Sequence, residues 1–329
     1  MSLPVSLVDF AATSPGQSVA SALQDSVRLA QAAEAHGFVR VWYAEHHNMP
    51  GIASSAPAVL IAHVATQTSA IRLGSGGVML PNHAPLTVAE QFGMLAELYG
   101  PRIDLGVGRA PGTDQRTVQA LRRSREAADS FPQDVAELLG YLGEHTRFPG
   151  VTAVPGRGTH VPVWVLGSST FGAQLAAQLG LGYSFASHFA PDMLEHAARL
   201  YREAFVPNES GTGPHFIAAV NAIVGQTAEQ AHAAREAAAR RQVSRFLARD
   251  RTLTDAELDV LMDSPAAEQI LAMMRYTAVG TAETVHAYLE DFGARVQADE
   301  LMVSLGDPSL EGKLRTIEAL GSARAQSKP

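Results

Sequence analysis

Three strand-like segments recur at equal spacing in the first third of the chain. Their central residues, Val41, Leu73 and Leu105, follow one another at intervals of 32 residues, about the length of one strand and one helix. Polar or glycine-rich residues follow each of these segments. A repeated strand–helix unit with its chemistry at the carboxyl end of each strand is typical of an α/β barrel, which builds one site from several strands.

The same rhythm continues to the end of the chain, and residues 1–329 are predicted to form a single domain. Eight apolar, β-branched segments alternate with helical patterns, which favours a closed (β/α)8 TIM barrel over an open doubly wound sheet. Residues 249–276 do not fit the rhythm and predict a helical insertion between strands 7 and 8. The predicted strands cover residues 3–10, 39–43, 72–80, 103–107, 161–166, 183–186, 216–224 and 300–304.

The composition excludes several classes of site and partner. A formal net charge of −8 without a basic cluster argues against nucleic acid or a membrane surface as the main partner. The chain has no cysteine, so disulfides, thiolate nucleophiles, iron–sulfur clusters and cysteine zinc sites are impossible. We see neither a signal-peptide pattern nor a run of about 20 apolar residues, and we therefore expect a cytoplasmic protein.

An acidic residue and two histidines follow the second strand. Because adjacent side chains of a strand point to opposite faces, at most one of His46 and His47 faces a given pocket while the strand stays regular. One histidine is therefore a candidate base or hydrogen-bond donor, or a metal ligand with Glu45; two structural histidines in a loop are the alternative. We predict no metal, because His63 and His83 are too isolated in sequence to act as further ligands.

Two other strand ends carry residues that suit a phosphate. Arg109 follows a glycine-rich strand, and its planar guanidinium can bind an oxyanion through two hydrogen bonds; a salt bridge with Asp114 is the alternative. Gly167, Ser168 and Ser169 lead into a helix whose free N–H groups form an anion cradle, unless the hydroxyls only cap the helix. Both strand ends belong to one face of the barrel, so together they predict a phosphate monoester site.

Gly76 and Gly77 lie where the third strand becomes a loop. Paired glycines allow the backbone to approach a planar ligand or to adopt an unusual peptide geometry, and a β-bulge is the competing explanation. The glycines at 74–77 and at 106–108 lack the spacing and the following helix of a Rossmann dinucleotide site.

Five motifs, found in order between about residues 3 and 320, resemble the bacterial luciferase-like flavin-dependent monooxygenase family. They are Ala44–His47, Leu73–Pro81 with Pro85, Asp104–Arg109, Val165–Ser169, and Val279–Val285 with Asp299–Val303. The resemblance implies an eight-stranded α/β barrel, in agreement with the strand count. It also implies an enzyme that takes reduced FMN from a separate flavin reductase, adds O2 at the flavin C4a position and oxidises an organic substrate through a C4a-peroxyflavin. A homodimer is implied, which we place at the helices after strands two and three.

Roles for individual residues follow from the same resemblance. His46 matches the family's catalytic histidine and would transfer a proton, and Glu45 matches the acidic residue beneath the flavin. The Gly76–Gly77 bond matches a non-proline cis peptide beside the isoalloxazine ring. The residues predicted to bind the cofactor are Gly76, Gly77, Arg109, Gly167, Ser168 and Ser169.

Three departures from the family pattern bear on activity. Gly108 stands where luciferase has a reactive cysteine, Ser168 where it has a glutamate, and Gly172 close to where it has a threonine, so we do not predict light emission. The insertion at 249–276 would be the family's mobile lid.

Three other functions stay open, and the substrate is only partly constrained. A relative that uses the deazaflavin F420 for hydride transfer, a non-catalytic flavin-binding protein and a metal-dependent barrel hydrolase are the alternatives. Phe10, Trp42, Phe185 and Phe189 are candidates to line the barrel mouth, together with several methionines, and they favour an apolar or aromatic substrate unless they are core residues.

Overall fold

Eight parallel strands close into a barrel in the computed structural model, which describes residues 3–326 except positions 15, 50, 111, 209–210, 249–250 and 252. The strands in chain order are β1 (Val5–Asp9), β2 (Arg40–Tyr43), β3 (Arg72–Met79), β4 (Ile103–Gly108), β5 (Val163–Gly167), β6 (Gly182–Phe185), β7 (Phe216–Val224), β8 (Thr277–Gly280) and β9 (Glu300–Leu305). Strands β1 to β7 pair in sequence order, and β9 closes the ring between β7 and β1. The predicted (β/α)8 barrel is confirmed.

The ninth strand, β8, lies outside the ring and was not predicted. It pairs in parallel with the last residues of β7, from Asn221 beside Thr277 to Val224 beside Gly280. Its sequence, Thr-Ala-Val-Gly, is too short to show a periodicity, which explains why the strand was missed.

The helices follow the strands in the predicted alternation. They are α1 (Val19–Ala35), α2 (Pro57–Ala65), α3 (Pro85–Tyr99), α4 (Gln115–Ala120), α5 (Phe131–Leu142), α6 (Thr170–Leu179), α7 (Leu194–Glu203), α8 (Ala228–Leu247), α9 (Asp255–Met262), α10 (Pro265–Ala272), α11 (Ala282–Arg295) and α12 (Leu310–Gln326). Gly180 ends α6 as predicted, and its φ of 63° is the left-handed conformation that glycine adopts without strain. Within the described ranges, none of the helices is both long and apolar enough to cross a bilayer.

Two helices occupy the predicted insertion between the seventh and eighth barrel strands. Thr254 and Glu257 form a capping box that starts α9, and Ser264 caps α10, whose first residue is Pro265. The first residues of the insertion, at positions 249, 250 and 252, lie outside the described residues, as does Pro111 after β4. That the insertion acts as a lid stays a prediction.

The strand register accounts for the equal spacing in the sequence. Val41 of β2 pairs with Leu73 of β3, as the interval of 32 residues requires, whereas Leu73 pairs with Ile103 and not with Leu105. The two-residue offset belongs to the stagger that a tilted barrel needs to close. The repeat in the sequence therefore predicts the strand–helix unit. The stagger between neighbouring strands is seen only in their pairing.

The interior of the barrel is filled by side chains of its own strands. Val8, Trp42, Trp164, Ile217, Ala219 and Met302 form this inner cluster, and Phe10 and Leu166 pack against it. Trp42 is fully buried and donates from its indole N–H to Asp104. Phe185 lies in the outer layer, between the strands and the helices. The prediction that Trp42 and Phe185 line the mouth is therefore wrong; of the four aromatic candidates, Phe10 and Phe189 remain.

Candidate active site

A buried carboxylate, Glu45, organises the loop that follows β2. Its two oxygens accept hydrogen bonds from His47 Nε2 at 2.7 Å, from His83 Nε2 at 2.8 Å and from the main-chain N–H of Met79 at 3.0 Å. Burial alone would raise the pKa of Glu45, but the hydrogen bonds from His83, His47 and Met79 hold that pKa below its ordinary value. Glu45 is therefore an anionic anchor that ties the ends of β2 and β3 together.

His83 belongs to this cluster, so the prediction that it is too isolated to be a partner is wrong. A short 3-10 helix, Leu80–Asn82, follows β3 and brings the next residue back onto the end of β2. One potential ligand atom from each of Glu45, His47 and His83 lies within 4.8 Å of the others, a set that could hold a metal ion. Sequence separation hid this contact, because only the pairing of β2 with β3 makes the two strand ends neighbours.

His46 points away from the carboxylate, and its neighbour His47 takes the contact with Glu45. The His46 ring lies 5.8 Å from the Phe10 ring, centroid to centroid, and its Nδ1 is buried without a hydrogen-bond partner among the described residues. Burial lowers the pKa of His46, and the positive charge of Arg245 lowers it further. The imidazole is therefore neutral near pH 7, and its Nδ1 has no protein partner that would hold it in one protonation state.

A second histidine without a polar partner among the described residues, His188, also contacts Phe10. Its ring centroid is 6.0 Å from that of Phe10 and 4.9 Å from that of Phe189. Both of its ring nitrogens are buried without a partner in the described part of the chain, and burial lowers the pKa of His188 to about 4. His188 was not predicted from the sequence, although its position just after the sixth barrel strand was a usable signal.

The Gly76–Gly77 peptide bond is cis, as the resemblance implied. The pairing of β3 with β4 also shifts register between Ser75 and Val78, so a local irregularity of the kind a β-bulge produces accompanies the cis bond. A Cβ atom at Gly76 would lie 2.8 Å from Cβ of Trp42, and one at Gly77 would lie 2.8 Å from the carbonyl oxygen of Gly106. Only glycine fits at either position, which accounts for the pair in the sequence.

Arg109 lies against the start of α6. Its guanidinium carbon is 4.2 Å from the centre of the Phe171 ring, and Phe171 is the second residue of that helix. Ser169 is the N-cap residue of α6, but its hydroxyl makes no capping hydrogen bond. Asp114 accepts from the N–H of Thr117 at 3.0 Å instead of pairing with Arg109. Arg109 and the hydroxyl-rich turn therefore adjoin each other, as the phosphate prediction requires.

The remaining residues of the predicted cradle are accessible. Ser168 and Ser169 are both exposed, and Tyr183 donates to the carbonyl oxygen of Ser169 at 3.0 Å, which holds the turn in place. A cavity of about 150 Å³ beside Arg109 is also lined by Arg123, a second cation that the sequence analysis did not single out. A larger, open depression of about 510 Å³ lies at the opposite end of the barrel and contains none of the predicted site residues.

Comparison with known proteins identifies the family. The model of the luciferase-like monooxygenase family matches residues 3–298. A luciferase-like monooxygenase of Escherichia coli K12 is 53% identical over 223 residues, which cover 68% of this chain and 67% of that protein. The N-acetyl-S-alkylcysteine monooxygenase of Bacillus subtilis is 37% identical over 223 residues, which cover 66% of each.

Solved structures agree with this assignment. Apo-MsnO8 superposes with a TM-score of 0.87 at 32% identity and covers 99% of this chain and 100% of its own. Two further structures each have a TM-score of 0.71, and each comparison covers 100% of both chains. One is an FMN complex of the oxygenating constituent of 3,6-diketocamphane monooxygenase from Pseudomonas putida, at 18% identity. The other is an F420-dependent secondary alcohol dehydrogenase, at 15% identity. The last two share the fold. The chain belongs to the luciferase-like monooxygenase family and is an oxidoreductase of the monooxygenase class.

Proposed function

We propose that this protein is an FMN-dependent monooxygenase that uses reduced FMN and O2 to oxidise a small, largely apolar organic substrate. The observation that carries the proposal is the placement of Arg109, which has no carboxylate partner among the described residues, against the first turn of α6. The exposed hydroxyls of Ser168 and Ser169 adjoin it. A guanidinium beside a helix N-terminus with an uncapped hydroxyl suits the single phosphate of a mononucleotide.

The residues of the site fit an FMN cofactor. Arg109, Gly167, Ser168 and Ser169 would hold its phosphate, and the backbone at Gly76–Gly77 would lie beside its ring, as the family resemblance implies. When bound, reduced FMN supplies the electrons with which O2 is activated for the oxidation.

The chain's own groups orient and protect that chemistry. His46 is neutral and its Nδ1 has no protein partner, so it can take up or hold a proton beside the cofactor. Glu45, with His47 and His83 as donors, fixes the loop that carries His46. Phe10 and Phe189 form apolar walls next to His46 and His188, where they exclude water from the reaction.

The partners belong to the same proposal. A flavin reductase in the cytoplasm would supply reduced FMN as a transient partner. A homodimer is supported by three exposed apolar side chains on the helices that we predicted at its interface: Val59 of α2 is 71% exposed, and Met94 and Leu98 of α3 are 51% and 63% exposed. The name of the B. subtilis relative makes N-acetyl-S-alkylcysteines the first substrates to assay.

The test is an anaerobic titration of the purified protein with reduced FMN, followed by rapid mixing with O2. We expect saturable binding of reduced FMN and then a transient absorption band in the near ultraviolet before the oxidised flavin appears. Tight binding of reduced FMN without that transient would favour a flavin-binding protein without turnover. Binding of F420 in place of FMN would overturn the proposed cofactor and favour hydride transfer, the reaction type of the F420-dependent alcohol dehydrogenase.

A further inference from the structure

The loop after β6 holds the main chain of His188 rigidly. Ser187 is fully buried, and its hydroxyl donates to the carbonyl oxygen of Ala219 in β7. The side-chain amide of Asn221, two residues further along β7, donates to the carbonyl oxygen of His188 at 2.7 Å. One buried and one partly buried side-chain hydrogen bond therefore hold the main chain at residues 187 and 188.

Unlike the hydrogen-bonded main chain, the imidazole of His188 makes no hydrogen bond among the described residues. Its ring is packed between Phe10 and Phe189, and neither nitrogen has a partner among the described residues. In that part of the chain it is the only histidine with both ring nitrogens buried and unpartnered. A buried donor and a buried acceptor without partners destabilise a fold, so each such group calls for a physical explanation.

We propose that His188 orients the substrate, by a hydrogen bond to an uncharged carbonyl, amide or hydroxyl group whose apolar neighbour lies against Phe10 and Phe189. That the ligand is a substrate rests on the proposed monooxygenase function, whereas the hydrogen-bonding site itself does not. A rigid backbone and an unused ring are what a preorganised binding residue requires. The distinction from His47 and His83 is that one ring nitrogen of each, Nε2, already pairs with Glu45.

The surroundings of the ring decide which ligand chemistry it suits. Burial and the neighbouring His46 lower the pKa of His188 to about 4, so the ring is neutral at physiological pH. A neutral imidazole offers one donor and one acceptor, which suit an amide, a ketone or an alcohol better than a carboxylate. His188 is partly exposed although both ring nitrogens are buried, and Phe189 is 41% exposed, so the aromatic wall reaches the surface.

The test uses flavin-free protein, so it does not depend on the cofactor or on turnover. Protein labelled with 15N-histidine is titrated with benzamide and, separately, with cumene, an apolar molecule of similar shape. We expect benzamide to shift the 15N resonances of His188, assigned from their loss in His188→Gln, and to lock one ring tautomer. Cumene should leave the chemical shifts of these resonances, and therefore the tautomer balance, nearly unchanged.

Two variants separate binding from structure. His188→Phe keeps an aromatic ring but removes both polar atoms, so we expect benzamide to bind about tenfold more weakly and cumene to bind as before or better. The same variant should melt about 2 °C higher, because it no longer buries unpartnered nitrogens. His188→Gln, which keeps a donor and an acceptor, should recover part of the preference for benzamide.

Other outcomes would overturn the inference. If benzamide leaves the His188 resonances unchanged, or if His188→Phe binds both probes like the wild type, then His188 is not a ligand-binding residue. If His188→Phe melts several degrees lower, the imidazole serves the fold. Failure to bind reduced FMN would overturn the proposed function and leave the benzamide result untouched, so the two failures can be told apart.

Discussion

The two ends of the barrel treat buried polar groups in opposite ways. At the amino end, Arg40 of β2 donates to Asp104 at 2.8 Å and to Glu300 at 2.9 Å, and the three side chains are almost completely buried. At the carboxyl end, His46 and His188 carry buried nitrogens that no described residue satisfies. The paired end stabilises the fold, whereas the unpaired end retains hydrogen-bonding capacity for molecules that bind there.

The amino-end network is more than one ion pair. Arg72 adds a second cation to Asp104, and His215 lies 3.1 Å from Glu300. Burial alone would lower the pKa of Arg40, but the two carboxylates raise it above its ordinary value. Burial alone would raise the pKa of Glu300, but His215 and Arg40 hold it below its ordinary value. Arg40 and Glu300 therefore stay charged at neutral pH, and the network depends on every member being present.

Breaking the paired end should have the largest effect on the molecule. Arg40→Met leaves two buried carboxylates short of their shared cation, so we expect the free energy of unfolding to fall by about 3–5 kcal/mol. Urea denaturation followed by circular dichroism measures this. Arg28→Met, which removes an arginine whose side chain is 59% exposed, is the matched control and should change stability by less than about 0.5 kcal/mol. A loss below about 1 kcal/mol for Arg40→Met would mean that the network does not stabilise the barrel.

Breaking the unpaired end should affect turnover instead of stability. His46→Asn keeps a polar side chain but cannot act as a base, so turnover with reduced FMN and O2 should fall by about 10² or more. The melting temperature and the Kd for reduced FMN should stay close to those of the wild type, because His46 makes no side-chain hydrogen bond in the described structure. Steady-state oxygen consumption and thermal scanning measure the two quantities. Unchanged turnover would remove His46 from the mechanism.

The phosphate site gives a smaller effect that is confined to binding. Arg109→Met removes the charge but keeps an apolar contact for Phe171, so we expect the Kd for FMN to rise about 10- to 100-fold. Fluorescence quenching of oxidised FMN measures the affinity. Arg116→Met, on the neighbouring helix α4 and also exposed, is the control. Equal affinities for the two variants would place the phosphate elsewhere.

The sequence predicted the site residues at the carboxyl end of the barrel far better than the ion network at the amino end. Strand periodicity and strand order predicted the barrel and the placement of Arg109 beside the turn before α6, because these follow from local patterns. The cis Gly76–Gly77 bond was implied by the family resemblance. His83 and His188 could not be found in this way, since their environment depends on how the chain returns to the end of β2 and to β7. The ion network at the amino end was also missed: Arg40, Asp104 and Glu300 look like ordinary charges in otherwise apolar strands until the barrel closes.

A single charge change near His46 should have a smaller effect, a shift in the pH profile of activity. Activity that needs neutral His46 is kept above its pKa in the folded protein and is lost as the pH falls through that pKa, which lies below about 6.5. Arg245→Gln removes a positive charge that lowers this pKa, so the acid limb of the kcat profile should move to higher pH by less than about one unit. Arg240→Gln is the control on the same helix, because Arg240 pairs with Asp259. If the acid limb does not move, the group that titrates there is not His46.

The Glu45 cluster is the exception at the carboxyl end, and the smallest expected effect concerns it. Glu45, His47 and His83 could hold a metal ion, yet each imidazole is within hydrogen-bond distance of the carboxylate, as in the paired network at the other end. We therefore expect EDTA treatment and gel filtration to leave both the melting temperature and the oxidation of reduced FMN unchanged, whereas His83→Gln should lower stability by about 1–2 kcal/mol through the lost hydrogen bond. Stoichiometric zinc or iron in the purified protein, with a lower melting temperature after its removal, would contradict this. Such a result would favour the metal-dependent alternative, because a bound metal would use Glu45, His47 and His83 as ligands in place of their mutual hydrogen bonds.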